Sequence, residues 1–384
     1  MQPEVDRTKR DERAHAALGF TRTPSEDDQR RDPTLLEAIA LVAPGTELRQ
    51  GIDDIIRSRE GALIVIGEPS ELEFMFSGGI ALAQPFTPQL LYELSKMDGA
   101  IVVDTAIGKI THANVQLMPD PTIASDETGT RHRTAERVAK QTNALVISIS
   151  QQRETVTVFI DHSRYQLESI ADVLAKTNQA VGTLETYRSR LDQVLTRLTA
   201  LEFQNAVMLD DVLVVLQRAE LTTRMADFIE RVCTELGAEG RLIRMQLEEQ
   251  VSEVPAEKAA IVFDYHSDGG VERVAEALEA LAELPYQQLL EFELLAVLGY
   301  PASVNPLDHS ISPRGYRVLS HIPRLPDAVV KRVVSTLVGL EGIVRASQRE
   351  LEAVEGVGTV RAREIREGLR RLQEHNLMDR YLQL

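Results

Sequence analysis

Two short segments hold residues whose types and spacing could do chemistry. The first is Met97-Asp-Gly-Ala100. A helical pattern gives way there to an apolar extended run, so Asp98 falls at the end of a sheet strand. Gly99 and Ala100 leave room beside its carboxylate for a ligand's ring or sugar. An ordinary Asp-Gly turn between helix and strand explains the same residues by itself. The second segment is Glu127-Thr-Gly-Thr-Arg-His-Arg-Thr-Ala-Glu-Arg137. Thr130 has the side chain of an N-cap for the helix that follows. Arg131, His132 and Arg133 then occupy a first turn whose backbone is already partly positive, which costs about a few tenths of a kcal/mol each when exposed. An anion bound among them reverses that penalty. Free amides, threonine hydroxyls and guanidinium forks together make a phosphate site. A solvated charged helix end is the competing account. No cluster of Cys and His supports zinc. Neither a Gly-rich phosphate loop ending in Lys-Ser/Thr nor a dinucleotide fingerprint occurs, so a bound nucleotide would sit outside those frameworks.

These segments need a scaffold, and the first 160 residues or so predict one. Leu35–Val42, Leu48–Ile56, Pro88–Met97 and Arg131–Thr142 carry apolar residues at helical spacing. Ala62–Gly67, Ala100–Val103, Ile110–Leu117, Leu145–Ser150 and Val156–Ile160 are apolar, β-branched runs that read as strands. The expectation is an α/β domain with a central mixed sheet flanked by helices. From Tyr165 the pattern changes. Leu167, Ile170, Leu174, Val181, Leu184, Leu191, Leu195 and Leu198 follow a 3-4 repeat, interrupted at Thr177 and Arg188. That predicts a long helix and then an all-α spine to about Val297. The expected division is 1–33, a charged arm; 34–162, the α/β domain; 163–300, the helical spine; and 301–384, a small all-α module.

The last module differs in charge. The 384-residue chain has a formal net charge of −17, but Ser310–Leu384 holds 13 Lys+Arg against 9 Asp+Glu, or +4, leaving −21 elsewhere. Nucleic-acid contact, if any, is thereby confined to the tail. Within it, Val354-Glu-Gly-Val-Gly358, with Val360, Ala362 and Ile365 after it, resembles a helix-hairpin-helix. Gly356 and Gly358 permit a tight turn, and amides at the next helix start can hold a DNA phosphate. Arg361, Arg363, Arg366 and Arg370 add charge along that helix. Such contacts grip the backbone and read no bases. A first hairpin at Ile322-Pro-Arg-Leu-Pro326 lacks glycines and is assigned to packing. A structural link between two helices remains the alternative for the glycine turn. The single cysteine, Cys233, allows no intramolecular disulfide and has the flanks of a helix core position. With no long apolar run and no apolar signal core, a cytoplasmic, reducing compartment and no membrane contact are expected.

Taken together, Tyr92-Glu-Leu-Ser-Lys-Met-Asp-Gly-Ala-Ile101, the segment Glu127–Arg137, Ser312-Pro-Arg-Gly-Tyr316, Ile322–Pro326 and Val354–Gly358 resemble the DNA-integrity scanning diadenylate cyclases. The resemblance runs from about Thr34 in that family's order of cyclase, helical spine and helix-hairpin-helix. Ala124-Ser-Asp126 and a longer N-terminal arm depart from the pattern without touching a signature residue. The resemblance implies an enzyme that condenses two ATP into cyclic di-AMP and two pyrophosphates across two facing protomers, in an octamer. It implies Asp98, Arg131 and Arg133 as catalytic residues. It implies an ATP site of Asp98, Gly99, Ala100, Leu117, Gly129, Thr130, Arg131, His132, Arg133, Thr134 and Ser150. Mg2+ or Mn2+ would be held at Asp98, with His132 a further ligand. DNA, branched or junction-like, would bind at Gly356, Gly358, Arg361 and Arg363 and lower synthesis. The competing class is a non-enzymatic, nucleotide-regulated sensor of DNA structure, which has no use for an activating carboxylate. A junction nuclease would need a carboxylate cluster that the sequence lacks.

Overall fold

The computed structural model describes residues 32–382, apart from 270 and 291–292. The expected arm thus lies outside the described residues, save its last two. Asp32 caps helix α1 (Pro33–Leu41) by accepting from the Thr34 amide at 2.9 Å. Helix α2 spans Glu47–Arg57 under a Thr46 cap. Strands β1 (Ala62–Ile66), β2 (Phe76–Ser77) and β3 (Ile80–Pro85) follow, then helix α3 (Pro88–Ser95), capped by Thr87. Strands β4 (Ala100–Val103) and β5 (Lys109–Leu117) precede helix α4 (Thr130–Gln141). Strands β6 (Leu145–Ser150), β7 (Thr155–Ile160) and β8 (Ser163–Gln166) close the domain.

The sheet order is β2-β5-β4-β1-β6-β7-β8, with β3 beside β5. Only the β1–β4 pair is parallel among the registers found, so the sheet is mixed as expected. Alternation along the central strands sends side chains to two faces. Ile64, Ile101 and Ile147 pack with Leu35, Leu48 and Leu91 of α1, α2 and α3. Val65, Val102 and Val146 pack with Ala135, Val138 and Ala139 of α4. Burial on both faces explains why β1 is uniformly apolar. The sheet also runs past the expected boundary at 162. Strand β8 follows a two-residue turn in which Asp161 takes a φ of +48°. Tyr165 therefore lies on a strand, where its hydroxyl donates to Glu235 at 2.7 Å.

Two compact units divide the described chain: one contains residues to Val181 with Phe228–Gln246, the other Gly182–Asp227 and Leu247–Leu384. Helices α5 (Ile170–Gln204) and α6 (Leu209–Leu236) belong in part to each. Helix α5 is about 52 Å long at 1.5 Å per residue. Its buried positions include Val173, Thr177, Ala180, Leu184, Tyr187 and Leu191. Thr177, read in the sequence as an interruption, sits inside the seam because its hydroxyl is satisfied by the Val173 carbonyl at 2.7 Å. Cys233 is buried in α6, and burial pushes its thiol up to about 11.

Helices α7 (Arg241–Val251), α8 (Val254–Tyr265) and α9 (Val271–Glu283) continue the spine. The C-terminal module comprises α10 (Tyr316–Ser320), α11 (Asp327–Thr336), α12 (Gly339–Arg345), α13 (Gln348–Glu352) and α14 (Thr359–Leu382) around one core. Its two hairpins match residue for residue. In Ile322–Pro326 the third residue, Arg324, has φ +65°; in Val354–Gly358 the third, Gly356, has φ +82°. In both, the fourth amide donates to the first carbonyl (3.4 and 3.0 Å). The first hairpin thus holds the second's conformation without glycine, at a backbone cost of about 1–2 kcal/mol.

Candidate active site

One end of the sheet gathers the residues that sequence reasoning singled out. Ala100 begins β4 and pairs with Leu63 of β1, so Asp98 and Gly61 each lie two residues before that pair. On the other side of β1, Ala62 pairs with Ile149, next to Ser150. Leu117 ends β5, which runs antiparallel to β4. Asp98, Gly61, Leu117 and Ser150 therefore share one edge. Neighbouring strands lie about 4.8 Å apart, so Asp98 and Gly61 are one strand spacing from each other.

Arg131 reaches this edge from α4. Its Nη1 donates to the Ile149 carbonyl at 3.4 Å and lies against Gly61, where a Cβ would stand 2.1 Å away. Gly61 was not singled out in the sequence. Its only signal was a glycine just before a strand, which any turn supplies. Asp98 is exposed, and its carboxylate has no hydrogen bond or ion pair among the described residues. A free carboxylate and a guanidinium thus flank the start of β1.

The glycine and alanine after Asp98 also have a packing role within the sheet. Gly99 has φ +98°, and a Cβ there would come within 2.9 Å of the Asn114 carbon and the Val115 oxygen of β5. Ala100 is fully buried among the residues under α4. The missing side chain at Gly99 lets β4 approach β5 and so fixes where Asp98 emerges. Leu117 is also mostly buried, at 7% exposure.

Helix α4 begins one residue earlier than the sequence suggested. Gly129 is the N-cap, with extended backbone and no side-chain cap bond, and its carbonyl accepts from the Arg133 amide at 2.9 Å. Thr130 is then the first helical residue and cannot cap. The uncapped amides and the exposed Thr130 hydroxyl face outward at a helix start. The remaining cations of α4 serve its outer face. Arg133 Nε donates to Glu127 O (3.2 Å), Arg137 Nε to Ile123 O (2.9 Å) and Lys140 Nζ to Ala124 O (3.0 Å). These bonds stitch the preceding loop to the helix. Arg133 remains exposed, and that bond uses only its Nε.

His132 faces elsewhere. Its ring packs edge-on to Phe159 of β7, with centroids 6.3 Å apart. Burial, reinforced by Arg164, Arg131 and Arg153 and opposed by Glu127, lowers its pKa below the usual histidine value. Phe159 pairs with Val146, three strands across from β4 and four residues along from Asp98. Those steps put the Phe159 and Asp98 backbones about 14 Å apart sideways and about 13 Å along the strands. In this chain His132 packs toward Phe159 of β7 rather than toward the strand edge that carries Asp98. Ser150 accepts from the Arg153 amide at 3.3 Å, and Thr134 is half-buried one turn into α4.

Among the described residues no group of three or more His, Cys, Asp and Glu could hold a metal ion. A lone carboxylate at this edge fits a cation of the Mg2+ type only if phosphate oxygens complete its shell. A cavity of about 790 Å³ lies in the second unit and contains none of these residues. The sheet-end site is instead open, with Asp98, Thr130 and Arg133 exposed.

Comparison with known proteins locates two family models on the chain. One, described as DisA bacterial checkpoint controller nucleotide-binding, matches residues 49–164, which hold the whole sheet-end site. The other, described as DisA bacterial checkpoint controller linker region, matches residues 167–307. A protein of Carboxydothermus hydrogenoformans called DNA integrity scanning protein DisA is 48% identical over 345 residues, covering 90% of this chain and 98% of that protein. Proteins of the same name from Acetivibrio thermocellus and Bacillus mycoides are 44% and 43% identical, covering 92% and 93% of this chain and 98% and 99% of theirs.

Proposed function

The chain belongs to the DisA family of diadenylate cyclases, and from that premise we propose how its own residues carry out the reaction. ATP binds at the sheet end, with its triphosphate between Asp98 and the start of α4. Arg131, held by Gly61 and Ile149, and the Nη atoms of Arg133 neutralise charge as pyrophosphate leaves. The uncapped amides of α4 and the hydroxyls of Thr130 and Thr134 complete the phosphate cradle. Gly129, Leu117 and Ser150 line it. Asp98 accepts the proton of the ATP 3'-hydroxyl, which attacks the α-phosphorus of a second ATP. A Mg2+ or Mn2+ shared by Asp98 and the triphosphate would supply further charge balance and lower the pKa of that hydroxyl. His132 supports the turn through its edge-on contact with Phe159.

One ATP on one protomer cannot close a ring. Two protomers must face each other, each supplying one hydroxyl and one α-phosphorus, and a two-fold isologous contact is the simplest means. The openness of the site supports this reading, since an exposed half-site is what such an encounter needs. In this reading residues 34–166 form the cyclase, the spine follows to about 300, and the assembly is an octamer. The C-terminal module binds branched DNA through Gly356, Gly358, Arg361 and Arg363, and bound DNA lowers synthesis.

The observation that carries the proposal is the free Asp98 carboxylate one strand spacing from the guanidinium-lined Gly61. Incubating the full chain with ATP and Mg2+ or Mn2+ and weighing the product tests it. Cyclic di-AMP should form, and saturating branched DNA should reduce its rate. Recovery of ATP unchanged would remove the enzyme reading in favour of a nucleotide-regulated sensor. Unchanged turnover with DNA bound would remove the inhibition alone.

A further inference from the structure

Arg332 sits in α11, the helix after the first hairpin, yet its guanidinium lies against the second hairpin. A Cβ built on Gly356 would stand 2.7 Å from Arg332 Nη2 and 3.2 Å from its Cζ. Gly356 therefore answers two demands: a left-handed φ and the close approach of this side chain. Arg332 is half-buried, and its Nε is shielded from solvent without a hydrogen-bond partner. Among the described residues no carboxylate or carbonyl engages the guanidinium. Arg361 flanks the same turn, and its Nη1 donates to the Gly356 carbonyl at 2.7 Å. That carbonyl is thus satisfied without Arg332. The Ala362 amide closes the first turn of α14 on the Gly358 carbonyl at 2.9 Å. The amides of Thr359, Val360 and Arg361 then have no acceptor inside the helix.

A partly desolvated guanidinium with unused donors is unfavourable until an anion meets it. Its planar fork suits two oxygens of one phosphate. We propose that Arg332 is a DNA-phosphate contact, gripping at the second hairpin a phosphate that the α14 amides and Arg361 also face. The proposal rests on the DNA-binding reading above and extends it to a residue outside the hairpin motif. Because the ligand is backbone phosphate, the contact is indifferent to base sequence.

The test uses the full chain and fluorescein-labelled branched DNA of two unrelated sequences, followed by anisotropy at several KCl concentrations. Arg332→Gln should weaken binding about tenfold on both sequences and reduce the slope of log affinity against log salt by about 1. Arg332→Lys should fall between the two, keeping charge and losing the fork. Thermal stability and cyclase rate without DNA should match the parent chain. Parent-like affinity and salt slope in Arg332→Gln, with Arg361→Gln weakened, would overturn the proposal and leave the DNA-binding reading standing. Loss of affinity only in proportion to lost thermal stability would overturn it too, as a packing role. A parent chain that binds neither DNA would sink the DNA-binding reading and this contact with it.

Discussion

Gly61 and Arg131 form the most closely fitted contact at the sheet end, and neither residue explains the other when read alone. The guanidinium occupies the volume of a side chain that Gly61 lacks. Gly61→Ala should push Arg131 off the edge and lower kcat/KM for ATP by about 100-fold, the scale of a misplacement of about 1 Å. Thermal unfolding should show little change, since position 61 lies outside the apolar clusters. Equal activity in Gly61→Ala would mean that Arg131 needs no such seat. Arg131 stood out in the sequence because cations at a positive helix end are out of place, whereas Asp98 stood out only through the family resemblance, since an Asp-Gly turn explains it equally well. Gly61 did not, because its role exists only once α4 lies across β1. Gly99 was legible as special, but only the register with β5 reveals the close backbone approach that its missing side chain admits.

The elements were legible in proportion to their apolar pattern. The central strands and helices α1 to α4 of the cyclase domain stand close to where periodicity put them. Strands β2 and β3 did not, because β2 is two residues long and β3 is exposed along nearly its whole length. Strand β3 also ends in Pro85, which an edge strand tolerates. In the second unit, the motif Ser312–Tyr316 proves to be a joint. Arg314 donates to the carbonyls of Phe263, Asp264 and His266 at 3.0, 2.9 and 2.8 Å, at the C-terminal end of α8. Asp264 in turn accepts from the amides of Tyr316 and Arg317 at 2.7 and 2.9 Å, capping α10. Arg317 is buried with Glu202 and Glu257; burial opposes its charge, but the two carboxylates outweigh that and raise its pKa. Burial first, and Glu202 second, push Asp264 up to about 7. Its folded pKa exceeds the unfolded value of about 3.9, so the folded state binds the extra proton between them. The contribution of this joint should be complete only below about pH 4, decline from there as pH rises towards 7, and level off above it. Melting temperature measured from pH 5 to 8 should fall, and Asp264→Asn should flatten that slope. A parent chain whose melting rises over this window contradicts the assignment.

At the scale of the whole molecule, charge separates a mildly basic tail from an acidic remainder, and that division was readable from composition alone. The requirement for a second protomer was readable only through chemistry, because no residue pattern announces that one site makes half a ring. This requirement is the central claim, and subunit mixing tests it most directly. Parent and Asp98→Asn chains are combined in one assembly at known ratios, and cyclic di-AMP formation is measured at each. If every ring needs two competent facing sites, output falls as the square of the parent fraction, so an equal mixture keeps about one quarter of the rate. Asp98→Asn alone should retain ATP and make no ring. A straight-line fall to one half, or ring formation by the variant alone at the parent rate, would contradict the account.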